Sequence, residues 1–514
     1  MNGAETLVRT LLAGGIEVCF ANPGTSEMHF VAALDHVDGM RCVLCLFEGV
    51  VTGAADGYAR MAEKPAATLL HLGPGMANGL ANMHNAKKAR TPMVNIVGDH
   101  ATYHLELDAP LTADIEAAAA PFSHWVHTGK SAQTIGADGA AAIAAAIELP
   151  GQIATLILPA DTAWTEGGPI VPVVQPSPPA KVSDEKLRAA VQALLSGEPT
   201  LLLLGNRALR AVELEKASRI ANKTKARLLS ETSNARVERG AGRVSVARVP
   251  YPVDQALETL KGLKHIILIG AKPPVAFFAY PNKPGELQPK DCQIHMLAER
   301  NEDIPDALSR LVEAVNAQDT APTFAPAHRP ELPKGPITPD GIGATLGALL
   351  PENAIVCDES VSTGRNFFAS TAGAPKHDWM QLTGGAIGEG LPMTIGAAIA
   401  CPDRKVIGLQ ADGSGMYTVQ ALWTHAREKL NILTLVWANR AYQILRGELT
   451  NVGALNPGRK AIDMLSLDNP VIEWVQLAGS LGVPARKVET LEELQDAIRE
   501  GLAVNGPFLV EVVF

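Results

Sequence analysis

The chain has 514 residues, 47% of them hydrophobic and 19% charged, with a formal net charge of −10 and an isoelectric point near 5.8. This length favours about three domains, and the acidic balance argues against a nucleic-acid-binding surface. No run of 18 apolar residues occurs, and no basic segment precedes an apolar one at the N-terminus, so we expect neither a membrane partner nor a secretion signal. The six scattered cysteines favour a reducing, cytoplasmic location.

Two proline-rich stretches, residues 169–179 and 322–339, divide the chain. Closely spaced prolines disfavour both helices and central strands, so we interpret both stretches as linkers. They leave segments 1–168, 185–320 and 340–514, each of which alternates apolar strand-like runs with Ala- and Leu-rich helical stretches. This alternation predicts an α/β fold with three doubly wound, mainly parallel sheets, one in each domain.

The first segment carries two candidate site residues that follow apolar runs. Glu48 comes after the run 43–47 and before a helix of small residues, and His71 comes after the run 67–70 and before Gly73-Pro74-Gly75. A glutamate at a strand end is ordinarily a solvated surface group, and a lone histidine there is more often structural. An imidazole is nevertheless well suited to proton transfer near neutral pH.

Two further patterns in this segment resemble metal sites only weakly. Cys42 and Cys45 have the spacing of a redox or zinc motif, but they lie in an apolar run and no second pair exists. His100 and His104 are four residues apart, which would put them on one helical face, yet no Glu-x-x or Cys partner lies nearby in the sequence. We expect the two histidines to line a substrate entrance rather than to bind zinc.

The third segment contains the most specific pattern. The apolar run 406–410 stops at Asp412-Gly413-Ser414, a helix-like stretch 416–429 follows, and the run 432–438 ends at Asn439. A strand-to-helix turn presents backbone N–H groups to a phosphate, and carboxylate and amide oxygens suit Mg²⁺. The pattern therefore predicts a magnesium–diphosphate site, although the same residues also make ordinary turns and helix caps.

Three further motifs accompany this pattern: Gly384-Gly385-Ala386-Ile387-Gly388-Glu389-Gly390-Leu391-Pro392, Ala421-Leu422-Trp423 and Ala54-Ala55-Asp56-Gly57-Tyr58-Ala59-Arg60. Together they resemble the thiamine diphosphate enzymes of the pyruvate oxidase, acetohydroxyacid synthase and benzoylformate decarboxylase superfamily. The resemblance implies thiamine diphosphate and Mg²⁺ as cofactors. It implies a pyrimidine-binding domain at 1–168, a central domain at 185–320 and a diphosphate-binding domain at 340–514. It also implies a homodimer as the minimal unit, with a homotetramer expected, because the Glu48 half and the Asp412 half of each site lie on different subunits.

The resemblance also assigns roles to individual residues. Glu48 would share a proton with the aminopyrimidine ring, and Ile387 would wedge beneath the bent cofactor. Mg²⁺ would be held by Asp412, Asn439 and the carbonyl of Ala441. The other cofactor contacts would be Ser362, Gly413, Ser414 and Tyr442. The neighbours Ala411 and Ala438 depart from the family, which usually has Gly and Asn at these positions.

For the substrate, the resemblance points to the carboxylate of a 2-oxo acid bound by Thr25 or Ser26, with His71 as the first of two catalytic histidines. An N-cap role for the loop 22–27 is the alternative. No histidine occurs in 274–280, where the second would fall, and the aromatic wall is replaced near Gly447-Glu448 and at Glu389. A benzoyl substrate is therefore not expected. Flavin is not expected either, because the middle segment is short and lacks a flavin fingerprint.

The reaction implied is non-oxidative decarboxylation of a 2-oxo acid. Protonation of the remaining carbanion gives an aldehyde, and its addition to a second carbonyl gives an acyloin, as in acetolactate synthase. We favour the decarboxylase and keep the carboligase as the alternative. A cofactor-binding regulatory paralogue without turnover is a third possibility, but the presence of both Glu48 and Asp412 argues against it.

Overall fold

The computed structural model describes residues 1–514, and its N-terminal part forms a six-stranded parallel sheet. The strand order is β2-β1-β3-β4-β6-β5, with strands β1 (Val18–Ala21), β2 (Arg41–Leu44), β3 (Ala66–Leu70), β4 (Met93–Asp99), β5 (Trp125–Thr128) and β6 (Ile153–Pro159). The helices of this part are α1 (Gly3–Ala13), α2 (Met28–His36), α3 (Glu48–Ala62), α4 (Leu72–Ala89), α5 (Ile115–Ala119), α6 (Ile135–Ile147) and α7 (Ala160–Trp164). Short 3₁₀ helices span Thr25–Glu27 and Thr102–Leu107.

The middle part forms a five-stranded parallel sheet in the order β10-β8-β7-β11-β12. Its elements are α8 (Asp184–Leu195), β7 (Thr200–Leu204), a 3₁₀ helix (Asn206–Leu209), α9 (Ala211–Thr224), β8 (Arg227–Ser230), β10 (Ala247–Arg248), α10 (Val253–Leu260), β11 (His265–Ile269), β12 (Gln293–Ala298) and α11 (Ile304–Ala314). The short strand β9 (Val237–Arg239) leaves this sheet and joins the third one.

The C-terminal part forms a seven-stranded sheet in the order β17-β18-β16-β15-β13-β14-β9, in which only β9 is antiparallel. Its strands are β13 (Ile355–Glu359), β14 (His377–Gln381), β15 (Val406–Ala411), β16 (Ile432–Ala438), β17 (Ala485–Val488) and β18 (Phe508–Val513). The helices are α12 (Pro339–Leu349), α13 (Phe367–Ser370), α14 (Gly390–Ala400), α15 (Asp412–Gly415), α16 (Ala421–Arg427), α17 (Gln443–Asn451), α18 (Arg459–Asp463), α19 (Trp474–Ser480) and α20 (Leu491–Ala503).

The first and third parts pack tightly through α3 and α14. A Cβ atom placed on Gly396 would lie 2.0 Å from the Ala54 carbonyl oxygen, and one on Gly57 would lie 2.2 Å from the Met393 carbonyl oxygen. Only glycine allows the two helix backbones to approach this closely. The helix that begins at Glu48 is thereby fixed against the helix that follows the segment 384–389.

The predicted α/β class with three parallel-dominated sheets is confirmed. The domain limits stay a prediction, and β9 shows that residues of the middle segment contribute to the third sheet. No helix is both long enough and apolar enough to cross a bilayer. The helix predicted at 416–429 is wrong in detail, because only Ala421–Arg427 is helical and the Thr418 hydroxyl instead donates to the Gly388 carbonyl.

Strand order decides where ligands bind in such sheets. Connections reverse direction between β1 and β3 in the first sheet and between β13 and β15 in the third. Open α/β sheets bind ligands in the crevice outside the carboxyl ends of the strands at such a reversal. These two crevices are where the predicted site residues have to be sought.

Candidate active site

The crevice of the first sheet gathers the predicted residues of that segment. Residues 22–27 follow β1, Glu48 is the first residue of α3 after β2, and His71 is the N-cap of α4 after β3. Because β2, β1 and β3 are neighbours, their carboxyl ends lie side by side. The structure therefore brings Glu48, His71 and the loop with Thr25 and Ser26 to one edge.

Glu48 is buried, with only 7% of its surface exposed. One carboxylate oxygen accepts a hydrogen bond from the Asn78 amide at 2.9 Å, and no ion pair neutralises the carboxylate. Its other oxygen would lie 2.9 Å from a Cβ at position 75, so Gly75 leaves room for it. A buried carboxyl with one neutral partner is suited to exchanging a proton with a ligand.

Glu27, in the loop 22–27, is a site residue that sequence reasoning missed. Glu27 is 1% exposed, its Oε2 lies 2.8 Å from His71 Nδ1, and it accepts the Gly24 N–H at 2.7 Å. Its Oε1 is buried without a partner, and burial raises the pKa of this carboxyl. A carboxylate that accepts Nδ1–H fixes the imidazole tautomer and leaves Nε2 free for proton transfer. Glu27 is thus a positioning residue for His71.

The hydroxyls of Thr25 and Ser26 form no hydrogen bond within the chain, and Thr25 is exposed. The N-cap alternative is observed for the loop but not for these two residues: Gly24 is the N-cap of the 3₁₀ helix Thr25–Glu27, and its N–H donates to the Glu27 carboxylate in the first turn. Both hydroxyls remain available to a ligand at the strand-end edge that carries His71. Their substrate role stays a prediction.

We expect Glu27→Gln to lower kcat by about tenfold to 100-fold, because the imidazole loses the charged acceptor that orients it. The matched comparison is His71→Ala, alone and combined with Glu27→Gln. If Glu27 acts through His71, the double variant is no slower than His71→Ala alone. Additive losses in steady-state kinetics would contradict the positioning role.

The crevice of the third sheet gathers the predicted metal residues. β15 and β16 are paired in parallel, so Asp412 and Asn439 follow neighbouring strand ends. The Asp412 carboxylate accepts the N–H of Gly413 at 2.8 Å and the N–H of Arg440 at 2.6 Å, and Asn439 Oδ1 accepts the Ala441 N–H at 3.1 Å. These bonds tie the two turns into one cluster of oxygen atoms.

This cluster fits a hard divalent cation. Asp412 is 3% exposed, and it has no ion-pair partner, only backbone N–H donors. Burial raises the pKa of its carboxyl to about 6, and the backbone N–H groups of Arg440 and Gly413 oppose this shift. Mg²⁺ prefers few protein oxygens combined with substrate phosphates. The side chains of Asp412 and Asn439 and the carbonyl of Ala441 supply such a donor set, whereas no group of three or more His, Cys, Asp or Glu residues has the arrangement of a metal site.

The remaining cofactor residues surround this cluster. The Tyr442 ring covers Gly413 so closely that a Cβ there would lie 2.6 Å from its edge. Ser414 is buried beside Gln410, and Ser362 is half-buried in the turn after β13. Val361, directly before Ser362, has a φ of 48°, and Arg440 has a φ of 55°. Left-handed backbone at a β-branched residue is a genuine outlier that concentrates at functional sites.

Ile387 lies in the segment 384–389, which is held by a residue that sequence reasoning did not single out. Glu359, at the end of β13, is 2% exposed and accepts the N–H groups of Gly388 at 2.8 Å, Glu389 at 3.1 Å and Gly390 at 2.9 Å. From the other side, the Asn82 amide donates to the Gly49 carbonyl at 2.7 Å and the Gly388 carbonyl at 3.2 Å. The half-buried Ile387 is thus fixed relative to both crevices.

Glu389 was expected near the substrate pocket, where it replaces an aromatic residue, and this expectation is wrong. Its side chain is fully buried and its Oε1 lies 2.5 Å from Arg60 Nη2, which also binds Asp56 at 2.6 Å. Burial, only partly opposed by Arg60, raises the pKa of Glu389 well above its usual range. The residue links α3 to the segment 384–389 and does not face open space.

The segment 274–280, where the resemblance would place a second histidine, contributes to a polar and aromatic cluster. The Phe277 ring packs against Gly385 and lies 5.4 Å from the Tyr251 ring. Burial, together with the neighbouring Glu448 and Tyr251, raises the pKa of Tyr280. Glu448 lies on α17, the helix that begins just after the Asn439 turn. The middle part and α17 therefore place tyrosine hydroxyls and a carboxylate beside the segment that carries Ile387.

The weaker candidates do not form metal sites. The His100 and His104 rings lie 5.4 Å apart beyond β4, but they belong to no group of three or more His, Cys, Asp or Glu residues that could hold a metal ion. Their predicted place on one helical face is not observed, since only His104 lies in the 3₁₀ helix. All six cysteines are free, with Cys42 exposed and Cys45 buried.

Comparison with known proteins gives consistent results along the whole chain. The N-terminal and C-terminal thiamine pyrophosphate-binding domains of thiamine pyrophosphate enzymes match residues 1–120 and 364–512. A Mycobacterium tuberculosis protein named "Putative acetolactate synthase large subunit IlvX" is 52% identical over 100% of this chain and 99% of its own. Benzoylformate decarboxylase of Pseudomonas aeruginosa is 28% identical over 97% of this chain and 96% of its own. The solved structure of a Rhodococcus jostii 4-hydroxybenzoylformate decarboxylase shares the fold, with a TM-score of 0.86 at 24% identity, and the match covers 99% of this chain and 98% of that one.

Proposed function

The chain belongs to the thiamine pyrophosphate enzymes, of the decarboxylase or acetolactate synthase type, and from this premise we propose that it decarboxylates a 2-oxo acid without oxidation, using thiamine diphosphate and Mg²⁺. The observation that carries the choice of decarboxylase is the Glu27–His71 pair, at 2.8 Å, on the same sheet edge as Glu48. A decarboxylase has to protonate its carbanion, and an imidazole with a fixed tautomer is a suitable donor.

Thiamine diphosphate, when bound, supplies a thiazolium that acts as an electron sink for the bond to CO₂. The proposed roles of the chain's residues follow from their positions. Asp412, Asn439 and the Ala441 carbonyl hold Mg²⁺ and, through it, the diphosphate, while Gly413, Ser414, Ser362 and Tyr442 surround the phosphates. Ile387 supports the cofactor from below, and Glu48 exchanges a proton with its pyrimidine ring.

On the substrate side, Thr25 or Ser26 binds the carboxylate of the 2-oxo acid, and His71 Nε2 delivers the proton to the product carbon. We place Tyr280 and Glu448 on the far side of the pocket, next to the Tyr251 and Phe277 rings. Hydroxyl and carboxylate groups favour an aliphatic or polar side chain on the substrate over a phenyl ring, because a phenyl ring would leave them unpaired. No flavin takes part in the proposed reaction.

The carboligase is the second candidate, because the chain is 52% identical to a protein named for acetolactate synthase. Product analysis distinguishes it from the decarboxylase. The loaded enzyme is incubated with 2-oxo acids that carry methyl, longer alkyl, polar and phenyl side chains. We expect one aldehyde per CO₂, with the phenyl acid among the poorest substrates. An acyloin as the main product would establish the carboligase instead.

We further propose that each site combines Glu48 of one subunit with Asp412 of another, with a homodimer as the minimal unit and a homotetramer as the expected assembly. Large apolar side chains are exposed close to both crevices, among them Leu46, Met416, Tyr417 and Leu445, which supports an interface there. Co-expression of Glu48→Gln with Asp412→Ala chains is expected to restore about a quarter of wild-type activity, since half of randomly paired dimers keep one intact site. No recovery in verified mixed dimers would contradict a shared site.

A further inference from the structure

A cavity of about 130 Å³ lies far from the candidate active site, where the first and middle parts of the chain meet. Its walls include Pro92, which directly precedes β4, Gly151, which lies two residues before β6, and part of the 3₁₀ helix after β7. It therefore opens at the amino ends of the first sheet, opposite to the edge that carries Glu48 and His71. The proposed function makes no use of it.

Arginine dominates the charge of this cavity. Its lining contains one carboxylate, Glu63, and five arginines: Arg60, Arg90, Arg207, Arg210 and Arg236. Arg60 pairs with Asp56 and Arg236 pairs with Asp378, both behind the wall of the cavity. Arg210 and Arg236 share Glu63, at 3.1 and 3.6 Å. Arg90 and Arg207 form no ion pair. Within the lining, five arginines thus accompany one carboxylate, and two of the five form no ion pair, although the whole chain carries a net charge of −10.

Arg90 itself has no anionic partner. Its Nη1 lies 3.2 Å from His124 Nε2, and its Nε is buried without any partner. Burial and the nearby Arg300 lower the pKa of Arg90, and burial together with Lys87 and Arg90 lowers the pKa of His124. The imidazole is therefore held neutral and does not add to the charge of the cavity.

Arg210 is in a similar position on the opposite wall. Burial and the neighbouring Arg236 lower the pKa of its guanidinium, even though Glu63 is within 3.1 Å. Two cations from separate parts of the chain, Arg90 and Arg210, thus face a common space. An anion bound there would offset the cost of burying both charges.

We propose that this cavity is a binding site for a phosphate-sized oxyanion held between Arg90, Arg207 and Arg210. Planar guanidinium groups match the oxygen atoms of phosphate through paired hydrogen bonds. The volume is sufficient for one such group. Because Arg90 ends α4 and the other two arginines follow β7, the bound anion would tie the first and middle parts together.

The test uses the complete enzyme and inorganic phosphate at constant ionic strength, with chloride as the balancing ion. We expect saturable binding by calorimetry and a higher melting temperature, with affinity reduced by at least about tenfold in Arg90→Gln and in Arg207→Gln. Arg207 is exposed, so its variant is expected to fold normally, and Arg188→Gln, an exposed arginine on α8, is the matched control. Activity without phosphate should be unchanged in all three variants.

ADP provides a second arm that distinguishes free phosphate from a phosphate ester. Equal or weaker binding of ADP supports a free oxyanion as the ligand, and tighter binding that is also lost in Arg207→Gln supports a phosphate ester held by the same arginines. Unchanged melting temperature up to about 10 mM phosphate would overturn the proposal. Phosphate affinity that is the same in wild type, Arg90→Gln and Arg207→Gln would overturn it equally.

Discussion

Glu48→Gln is expected to reduce kcat by at least about 100-fold while thiamine diphosphate still binds. The substitution keeps the size of the side chain and an oxygen that accepts the Asn78 amide hydrogen bond at 2.9 Å. It removes the group that we propose exchanges a proton with the pyrimidine ring. The proposed binding groups for the diphosphate lie on the other sheet, so cofactor affinity measured by calorimetry is expected to fall far less than activity.

The control for this variant is Glu185→Gln, an exposed glutamate on α8, which is expected to have no effect. A second readout follows the chemistry without substrate: exchange of the cofactor's C2 hydrogen with D₂O, quenched and measured by NMR. This exchange is also expected to slow by at least about 100-fold in Glu48→Gln. Unchanged exchange together with unchanged kcat would remove Glu48 from the mechanism.

Asp412→Ala is expected to abolish activity in a different way, through loss of the cofactor. Asp412 is the only carboxylate in the proposed metal set, and its backbone donors give it no competing ion pair. Without it, Mg²⁺ and the diphosphate are expected to bind at least about 100-fold more weakly. Asp403→Ala, an exposed residue just before the opposite end of the same strand, is the matched control.

Calorimetric titration of the metal-free protein with thiamine diphosphate, with and without Mg²⁺, separates the possible outcomes. Wild type and Asp403→Ala are expected to require Mg²⁺ for tight binding, and Asp412→Ala is expected to bind weakly under both conditions. Tight cofactor binding by Asp412→Ala in the presence of a chelator would show that the residue holds no ion.

Local sequence patterns were sufficient to predict the positions of most strands and of both crevices. The run 432–438 was predicted with both ends correct, because buried parallel strands consist of continuous apolar residues between polar ends. The run 43–47 was placed too late, since β2 spans Arg41–Leu44 and Cys45 to Phe47 turn into α3. Apolar character alone does not separate a strand from a buried turn.

Side-chain pairs across the fold were not predictable. Glu27 and His71 are 44 residues apart, and Arg60 and Glu389 are 329 apart. Their contacts depend on strand order and on how closely α3 approaches α14, neither of which leaves a periodic signal in one sequence. Glu389 was therefore misplaced through its resemblance to a pocket residue, while Asp412 and Asn439 were correctly brought together because both directly follow neighbouring strands.

The most direct test of the proposed function is CO₂ release from a panel of 2-oxo acids by enzyme stripped of cofactors and then supplied with thiamine diphosphate and Mg²⁺. We predict turnover of at least one aliphatic or polar acid, which depends on both additions and is absent in Glu48→Gln. No CO₂ from any acid, although calorimetry shows the cofactor bound at full occupancy, would contradict the proposed decarboxylase.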